Sequence, residues 1–142
     1  MSDMELETHP FEPFAPADAR VLIMGTFPPQ RKRWSMEFYY PNRTNDFWPM
    51  MGLLFFGDRD RFYDREAKQF RLPQIKEFLI GKGIALNDTG HKVRRLKGNA
   101  SDKFLEIVEP VPLRDLFARM PHCRTLVTTG EKAAGVLAAL TG

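Results

Sequence analysis

With 142 residues, of which 43% are hydrophobic and 27% charged, the chain has the size and composition of one globular domain with its own core. The single cysteine, Cys123, excludes an internal disulfide and fits a reducing cytoplasm. No apolar run approaches the roughly 18 residues that a membrane span needs, and cysteine and histidine are too few for a zinc cluster.

The net charge of +3 is concentrated in two short segments that contain no acid. A concentrated positive field is expected of a surface that binds a polyanion, whereas the alternative is that both runs are solvated surface. The cations are Arg31, Lys32 and Arg33 in the first segment and Lys92, Arg94, Arg95 and Lys97 in the second.

The N-terminal residues 1–19 are predicted to form a proline-rich arm, and residues 20–142 a single α/β domain. Three prolines prevent the arm from forming a helix or joining a central strand. Its two phenylalanines, Phe11 and Phe14, are expected to anchor it to the domain.

Beyond the arm, apolar runs of strand length alternate with helical patterns. Such alternation predicts a parallel sheet with right-handed crossovers. A charged, irregular surface connection is expected over residues 57–71. The predicted strands are residues 21–26, 84–86 and 125–128, and the predicted helices begin after Asp46, near Leu72, at Pro112 and after Gly130.

If Asp46 is the N-cap of the first helix, Pro49 lies in the first turn, where no backbone donor is lost. A start several residues earlier would cost roughly 3 kcal/mol at Pro49 or kink the helix. Its apolar residues follow the i, i+3, i+4, i+7, i+8 spacing of one face. These residues are Phe47, Met50, Met51, Leu54 and Phe55.

The segment from Val21 to Trp48 predicts a ligand site at the carboxyl edge of the sheet. It contains a buried strand, a glycine turn at Gly25, an aromatic and polar loop, and the start of a helix. Because every strand-to-helix loop of a parallel sheet emerges at the same edge, the two basic segments should converge there, beside Thr129 and Gly130.

Several familiar enzyme motifs are missing. The sequence contains neither a GxxxxGK[ST] phosphate loop, nor a GxGxxG dinucleotide fingerprint, nor a GxSxG nucleophile elbow. Their absence disfavours a nucleotide hydrolase, a dehydrogenase and an α/β-hydrolase.

The residues that are present suit a planar polar ligand attached to a polyanion. Phe38, Tyr39 and Tyr40 offer ring faces for base stacking, although some of these rings are expected to be core instead. The glycine after the first strand allows close approach, so that amide groups near Thr26 and Phe27 could bond a base carbonyl.

Three motifs in this order resemble the uracil-DNA glycosylase superfamily, nearest its hypoxanthine- (deoxyinosine-) DNA glycosylase branch. They are GTFPP…FYYPNRTNDFW, GIALNDT…RRLKGNASD and LVTTGEKA, and the resemblance runs from Pro10 to the end. It implies a three-layer α/β/α sandwich around a short parallel sheet. It also implies base-excision repair by hydrolysis of the N-glycosidic bond of a flipped, deaminated base such as uracil or hypoxanthine.

The resemblance also implies the partners. The substrate would be double-stranded DNA containing a damaged base, with no metal, cofactor, membrane or obligate protein partner, in a cytoplasmic, nucleoid-associated enzyme. The superfamily continues into a fourth strand and a second, DNA-gripping motif, so the chain to Gly142 is expected to be C-terminally incomplete.

Residue by residue, Gly25, Thr26, Phe27 and Pro28 match the first motif of the superfamily. Phe27 stands where better-known branches have an Asn or Asp that activates water. Asn45 matches the asparagine of the hypoxanthine branch and is the predicted catalytic residue, although asparagine is also common as a helix cap.

Phe38 matches the phenylalanine that stacks on the extruded base, and Tyr40 and Asp88 complete the predicted base pocket. For Asp88 the alternative is a turn-forming residue. Thr129 and Gly130 are predicted to contact the DNA backbone together with the seven cations.

Two other functions remain open from the sequence. One is a non-catalytic nucleic-acid-binding module of the same fold. The weaker one is an enzyme that processes a small nucleoside or nucleotide in the same crevice.

Overall fold

The computed structural model describes residues 6–95 and 105–141, and within this part no helix is long and apolar enough to cross a bilayer. The strands are β1 (Leu6–Thr8), β2 (Val21–Gly25), β3 (Tyr63–Asp64), β4 (Gln69–Phe70), β5 (Ile84–Asp88), β6 (Gly90–Arg95), β7 (Leu105–Pro110) and β8 (Thr125–Thr128). The helices are α1 (Phe47–Phe56), α2 (Leu72–Lys82), α3 (Leu113–Ala118) and α4 (Glu131–Thr141).

The central sheet has the strand order β5-β2-β8, and both pairings of β2 are parallel. The three predicted strands and their parallel arrangement are therefore confirmed. In register, Val21 of β2 faces Ile84 on one side and Thr125 on the other. All three strands consequently end at nearly the same level, which brings their carboxyl ends to one edge of the sheet.

Side chains of β2 alternate between two separate cores, as the two-residue period of a strand requires. Ile23 packs with Trp48 of α1 and Leu79 of α2 on one face. Leu22 packs with Leu137 of α4, and with residues of α3, on the other face. Helices cover both faces of the sheet, so the expected three-layer α/β/α fold is confirmed.

Helix α1 begins after Asp46, as predicted, and ends at Phe56. The next residue, Gly57, closes the helix in the left-handed conformation with a φ of 66°. The predicted apolar face is only partly right. Of the five residues predicted to form this face, Phe47 and Met51 are buried and the other three are exposed. These three exposed residues are Met50, Leu54 and Phe55.

Two contacts explain why α1 turns a different side toward the core from the one that its apolar pattern predicts. Trp48 is buried because its indole Nε1 donates to the carbonyl oxygen of Tyr39 at 3.0 Å. Gly52 is buried against the loop that follows α1. A Cβ at this position would lie 2.4 Å from the carbonyl oxygen of Asp58, so only glycine allows the loop to approach so closely. The side of α1 that faces the core is therefore set by the loops that pack on it.

Lys92, Arg94 and Arg95 of the second basic segment lie in a strand rather than in the predicted loop. β6 lies in the middle of an antiparallel sheet with the order β1-β6-β7, in which Leu6 of the arm pairs with Arg94. The arm therefore contributes a strand, and Phe11 and Phe14 pack on the core as expected. Lys97 lies outside the described residues.

The predicted irregular connection over residues 57–71 contains the short antiparallel ribbon β3–β4. Its turn is held by Asp64, whose carboxylate accepts hydrogen bonds from the backbone N–H groups of Ala67 and Glu66. The bond from Ala67 is the main cause that lowers the pKa of Asp64. Phe70 of the ribbon is buried, so this connection is part of the core.

The prediction that Phe38 stacks on a ligand is not supported by its position. Phe38 is 6% exposed, and its ring packs edge-on against Phe14 at 5.4 Å and parallel to Trp48 at 6.5 Å. The alternative interpretation as a core residue is right, because the arm covers the ring.

Replacing Phe38 by alanine should therefore destabilise the fold by about 3–5 kcal/mol, the usual loss for a buried phenylalanine. Urea unfolding measures this loss. Leu53→Ala is the control, because Leu53 is 51% exposed on α1 and its removal should change the free energy of unfolding by less than about 0.5 kcal/mol. Equal, small losses in both variants would contradict the buried position of Phe38.

Candidate ligand site at the carboxyl edge of the sheet

A cavity of about 340 Å³ opens where β2, β5 and β8 end. All the predicted base-pocket residues except Phe38 line it, together with Asn45 and Thr129. The lining residues are Gly25, Thr26, Phe27, Pro28, Pro29, Tyr40, Pro41, Asn42, Asn45, Asp46, Phe47, Met50, Asp88 and Thr129.

Three oxygen atoms converge over the α-carbon of Gly25. A Cβ at that position would lie 3.0 Å from Asp88 Oδ1, 3.2 Å from Thr129 Oγ1 and 3.2 Å from the hydroxyl of Tyr40. Asp88 and Gly25 are direct neighbours in the parallel register, and the Tyr40 and Thr129 hydroxyls lie 3.0 Å apart. The missing side chain of Gly25 therefore leaves room for a polar surface built from three segments.

One wall of the cavity is aromatic. The rings of Tyr40 and Phe47 stack with centroids 3.9 Å apart and planes at 14°. Tyr40 adopts a positive φ of 54°, which a bulky non-glycine residue rarely does. Sequence reasoning missed Phe47 as a site residue, because its place in the helical pattern predicted only core packing.

Asn45 lies just before α1 and is half-buried. Its carboxamide Oδ1 accepts a hydrogen bond from the backbone N–H of Phe47 at 2.8 Å. The helix-capping alternative is therefore right as a description of this contact. The side chain can make further hydrogen bonds, because an amide oxygen has two lone pairs and an amide nitrogen carries two N–H donors.

A buried hydrogen-bonded pair beside the cavity was not predicted from the sequence. His9 Nε2 lies 2.8 Å from Asp88 Oδ2, and the two side chains are only 4% and 7% exposed. His9 comes from the arm, 79 positions before Asp88, so no local pattern could have indicated the contact. Asp88 thus has one oxygen on His9 and the other over Gly25.

Tyr39 does not line the cavity, but its hydroxyl contacts two segments that carry residues of the site. Its hydroxyl lies 3.1 Å from Asn87 Oδ1 and 3.0 Å from the carbonyl oxygen of Glu12. Burial, and then the nearby charges of Asp88 and Glu12, raise the pKa of Tyr39. The phenol therefore stays neutral and ties the arm to the end of β5.

The first basic segment is exposed and sits next to the cavity. Arg31, Lys32 and Arg33 form a single 3₁₀ turn that follows Pro29, a residue of the cavity wall. Trp34 Nε1 donates to the carbonyl oxygen of Pro29 at 2.7 Å, which anchors the turn.

In the second basic segment, Lys92 and Arg94 remain partly exposed but face carboxylates of β7. Lys92 Nζ lies 3.9 Å from Glu109, and Arg94 Nη1 lies 3.5 Å from Glu106. Acids absent from the local sequence are therefore supplied by the neighbouring strand. At the end of β8, the predicted Thr129 lines the cavity and Gly130 is exposed with a φ of 125°.

The prediction that Arg95 contacts a DNA backbone is wrong. Arg95 is 4% exposed, because its guanidinium pairs with Glu7 at 2.8 Å and donates to the carbonyl oxygen of Pro28 at 2.8 Å. It also lies over the ring of Phe27, 5.6 Å from the centroid. Arg95 therefore fastens the cavity wall to the antiparallel sheet.

The architecture is that of a uracil-DNA glycosylase-like α/β domain. The solution NMR structure of a putative uracil DNA glycosylase from Methanosarcina acetivorans superposes on it with a TM-score of 0.66. The two sequences are 22% identical, and the match covers 97% of this chain and 78% of the other. No protein-family model and no curated protein matches the sequence. At this identity the likeness establishes the fold, and function has to be argued from the site.

Gly25→Ala should destabilise the domain by about 1–3 kcal/mol, because the new methyl group would crowd Asp88, Thr129 and Tyr40. Urea unfolding measures the change. Gly135→Ala is the matched control: it lies inside α4, where nothing is within 4 Å of the added carbon. That variant should gain about 0.5–1 kcal/mol from helix propensity. A neutral Gly25→Ala would contradict the close approach described above.

Proposed function

We propose that the chain is a DNA glycosylase that hydrolyses the N-glycosidic bond of a deaminated base, uracil or hypoxanthine, flipped out of double-stranded DNA during base-excision repair. The observation that carries the proposal is the cavity at the carboxyl edge of the sheet. It combines a helix-start asparagine, an aromatic wall and a cluster of oxygens. The fold shared with the putative uracil DNA glycosylase supports it.

The cavity suits one nucleobase. Its volume of about 340 Å³ is at the small end of ligand pockets. The ring of Tyr40, backed by the buried ring of Phe47 at 3.9 Å, would supply a stacking wall that contributes roughly 1–3 kcal/mol per base. Asp88, Thr129 and Tyr40 offer hydrogen-bonding atoms to the edge of the base.

In the proposed reaction, water attacks the sugar carbon C1′ while the bond to the base breaks. The base leaves with the bonding electrons, the water loses one proton to solvent as it becomes the C1′ hydroxyl, and the base anion takes up one proton from solvent, so that the two balance. The second lone pair of Asn45 Oδ1 would accept a hydrogen bond from the attacking water and hold it against the positively charged sugar. Backbone N–H groups near Thr26 and Phe27 would stabilise the departing base anion.

No metal ion or lysine nucleophile takes part in this scheme. The proposed enzyme is therefore monofunctional, leaving an abasic site without cutting the strand, and it should work in the presence of a chelator.

The exposed cations Lys32 and Arg33 would hold the phosphates beside the flipped nucleotide, and Arg31 would contribute less because it pairs with Glu37 at 2.6 Å. Lys92 and Arg94 could add weaker contacts, because each already faces a carboxylate. Flipping costs a few kcal/mol and least at a mispaired base, which would favour lesions over normal pairs.

A non-catalytic nucleic-acid-binding module is the second candidate. It is favoured by the hydrogen bond from Phe47 N–H to Asn45 Oδ1, which gives this side chain a purely structural reason to be there. Under this alternative the basic turn would bind DNA, and the cavity would not catalyse hydrolysis of the glycosidic bond.

Asn45→Ala should lower the single-turnover rate of abasic-site formation at least 100-fold on duplexes carrying uracil or deoxyinosine, while leaving DNA affinity within about twofold. The reason is that the variant removes the acceptor for the attacking water but no phosphate contact. Alkaline strand scission of labelled duplexes measures the rate, and fluorescence anisotropy the affinity.

Asn45→Ala also removes a helix cap, which typically costs ~1 kcal/mol. Asp64→Ala is the control, because it removes comparable capping hydrogen bonds in the β3–β4 turn, away from the cavity. It should keep the wild-type rate. Equal loss of rate and affinity in Asn45→Ala would contradict the proposed role, and DNA binding without any wild-type turnover would favour the binding module.

Lys32→Ala should weaken binding alike on damaged and undamaged DNA and reduce the slope of log K against log salt concentration by about one. Lys32 is exposed in the basic turn beside the cavity. Lys82→Ala is the matched control, because Lys82 ends α2 just before β5 and so lies at the opposite edge of the sheet. An equal slope change in both variants would show that binding is not localised at the cavity edge.

A further inference from the structure

A second cavity, of about 220 Å³, is walled by three arginines that lie outside both basic segments. Arg43 comes from the loop before α1, and Arg59 and Arg65 come from the connection between α1 and α2. Asp60 is the one acid among the described residues that line this arginine cavity. Three positive charges against one negative charge leave the lining with a formal net charge of +2.

The guanidinium groups of this cavity are largely free to bind a ligand. Within the part of the chain that the structure describes, Arg43 and Arg59 form no ion pair. Arg43 lies over the ring of Tyr63, 5.4 Å from its centroid. Arg65 pairs with Asp60 through Nε alone, at 2.9 Å, and both side chains are exposed. Such a pair is weak, and it leaves the Nη donors of Arg65 unused.

The inner side of the arginine cavity is apolar. Trp48, Phe62 and Phe70 line it and are buried. These rings keep water away from one side of any anion that enters. An ionic contact is stronger where the dielectric constant around it is lower, so this concave site favours an anion more than the same arginines would on a convex surface.

The turn that carries Arg59 and Asp60 is already ordered by hydrogen bonds. Asp58 Oδ1 accepts a hydrogen bond from the backbone N–H of Asp60 at 2.9 Å. Arg71 Nη1 donates to the carbonyl oxygens of Asp60 and Arg61 at 2.8 and 3.1 Å. Since these bonds fix the backbone, little ordering of the turn is required when a ligand binds.

The arginine cavity and the candidate base cavity share one stretch of chain, residues 42–50. Asn42 and Asn45 line the base cavity, whereas Arg43 and Pro49 line the arginine cavity. Consecutive α-carbons are only about 3.8 Å apart. DNA carries a phosphate at every nucleotide, so a strand whose flipped base occupies the base cavity has phosphates close to the arginines.

We propose that the arginine cavity binds one phosphate of the DNA backbone beside the flipped nucleotide. The inference rests on the DNA-binding part of the proposed function. Guanidinium groups suit this ligand because their planar fork matches two phosphate oxygens. The cavity is smaller than the roughly 300 Å³ at which small-molecule pockets begin, so it takes a phosphate group rather than a whole nucleotide. The contact would position the strand relative to Asn45 without reading sequence.

The double variant Arg43→Ala/Arg59→Ala tests the phosphate contact, because it removes the two arginines that form no ion pair. It should reduce the slope of log K against log salt concentration by about one on any duplex, as expected for the loss of one phosphate. Fluorescence anisotropy measures the affinity. Arg124→Ala is the matched control at an exposed arginine that precedes β8, at the opposite edge of the sheet, and it should keep the wild-type slope.

Methylphosphonate duplexes test where the phosphate lies. One phosphate at a time is made uncharged around a 2′-fluorinated uracil nucleotide, which resists hydrolysis. At the contacted position the wild type should bind about three- to tenfold more weakly, and in the double variant this penalty should fall to within about twofold. Arg124→Ala should keep the full penalty. Both replaced arginines are exposed, so urea unfolding should give wild-type stability, and Arg59→Lys should restore the salt slope when it replaces Arg59→Ala in the double variant.

Inorganic phosphate distinguishes DNA from a free phosphate as the ligand. At the concentration of duplex that saturates the protein, inorganic phosphate should leave the NMR signals of the Arg59 and Arg65 Nε–H groups unchanged, whereas the duplex should shift them. Shifts with inorganic phosphate, together with an unchanged salt slope in the double variant, would overturn the assignment to DNA.

The outcomes separate this inference from the proposed catalysis. A lower slope in the double variant supports the contact even if the wild type is inert on uracil and deoxyinosine duplexes, where only the catalytic proposal fails. Wild-type turnover with an unchanged slope and an unchanged methylphosphonate penalty overturns the inference alone. A wild type that binds no duplex DNA overturns both.

Discussion

The site depends on the parallel register of β2 with its two neighbours. Gly25 is level with Asp88, and Met24 with Thr128, so three loops leave the sheet at the same height. The loop after β2 carries Asn45 to the start of α1, the end of β5 supplies Asp88, and the turn after β8 supplies Thr129. A slip of the register would separate these groups and also turn the strand's side chains to the wrong core.

The absent side chain at Gly25 and the buried side chain of His9 from the arm act on the two oxygens of the same carboxylate. Gly25 leaves room for Asp88 Oδ1, and His9 of the arm holds Asp88 Oδ2. The arm is fastened in turn by the pairing of Leu6 with Arg94 and by the ion pair between Glu7 and Arg95. Residues that look like a peripheral extension therefore belong to the support of the cavity.

Folding gives the cations of the two basic segments different surroundings from those that the sequence indicates. Cations that are clustered in sequence have different surroundings in space: the turn at Arg31–Arg33 is exposed, whereas Arg95 is buried on Glu7 and Pro28. Lys92 and Arg94 face carboxylates across the hairpin. The positive surface available to a polyanion is therefore narrower than the charge pattern predicts, and of the cations described in the two basic segments, Lys32 and Arg33 are exposed at the turn that adjoins the cavity, while Arg31 pairs with Glu37.

The sequence alone determined the features that depend on neighbouring residues. Strands of continuous apolar residues, Asp46 and Pro49 at the start of α1, and the glycine turn after β2 all follow from local periodicity and backbone chemistry. It also placed the cavity, because strand ends of a parallel sheet meet at one edge. Tertiary structure decided the rest, since burial depends on partners distant in the chain. The arm covers Phe38, loop contacts rotate α1, Glu7 buries Arg95, and His9 reaches Asp88, and none of these pairings leaves a local signal.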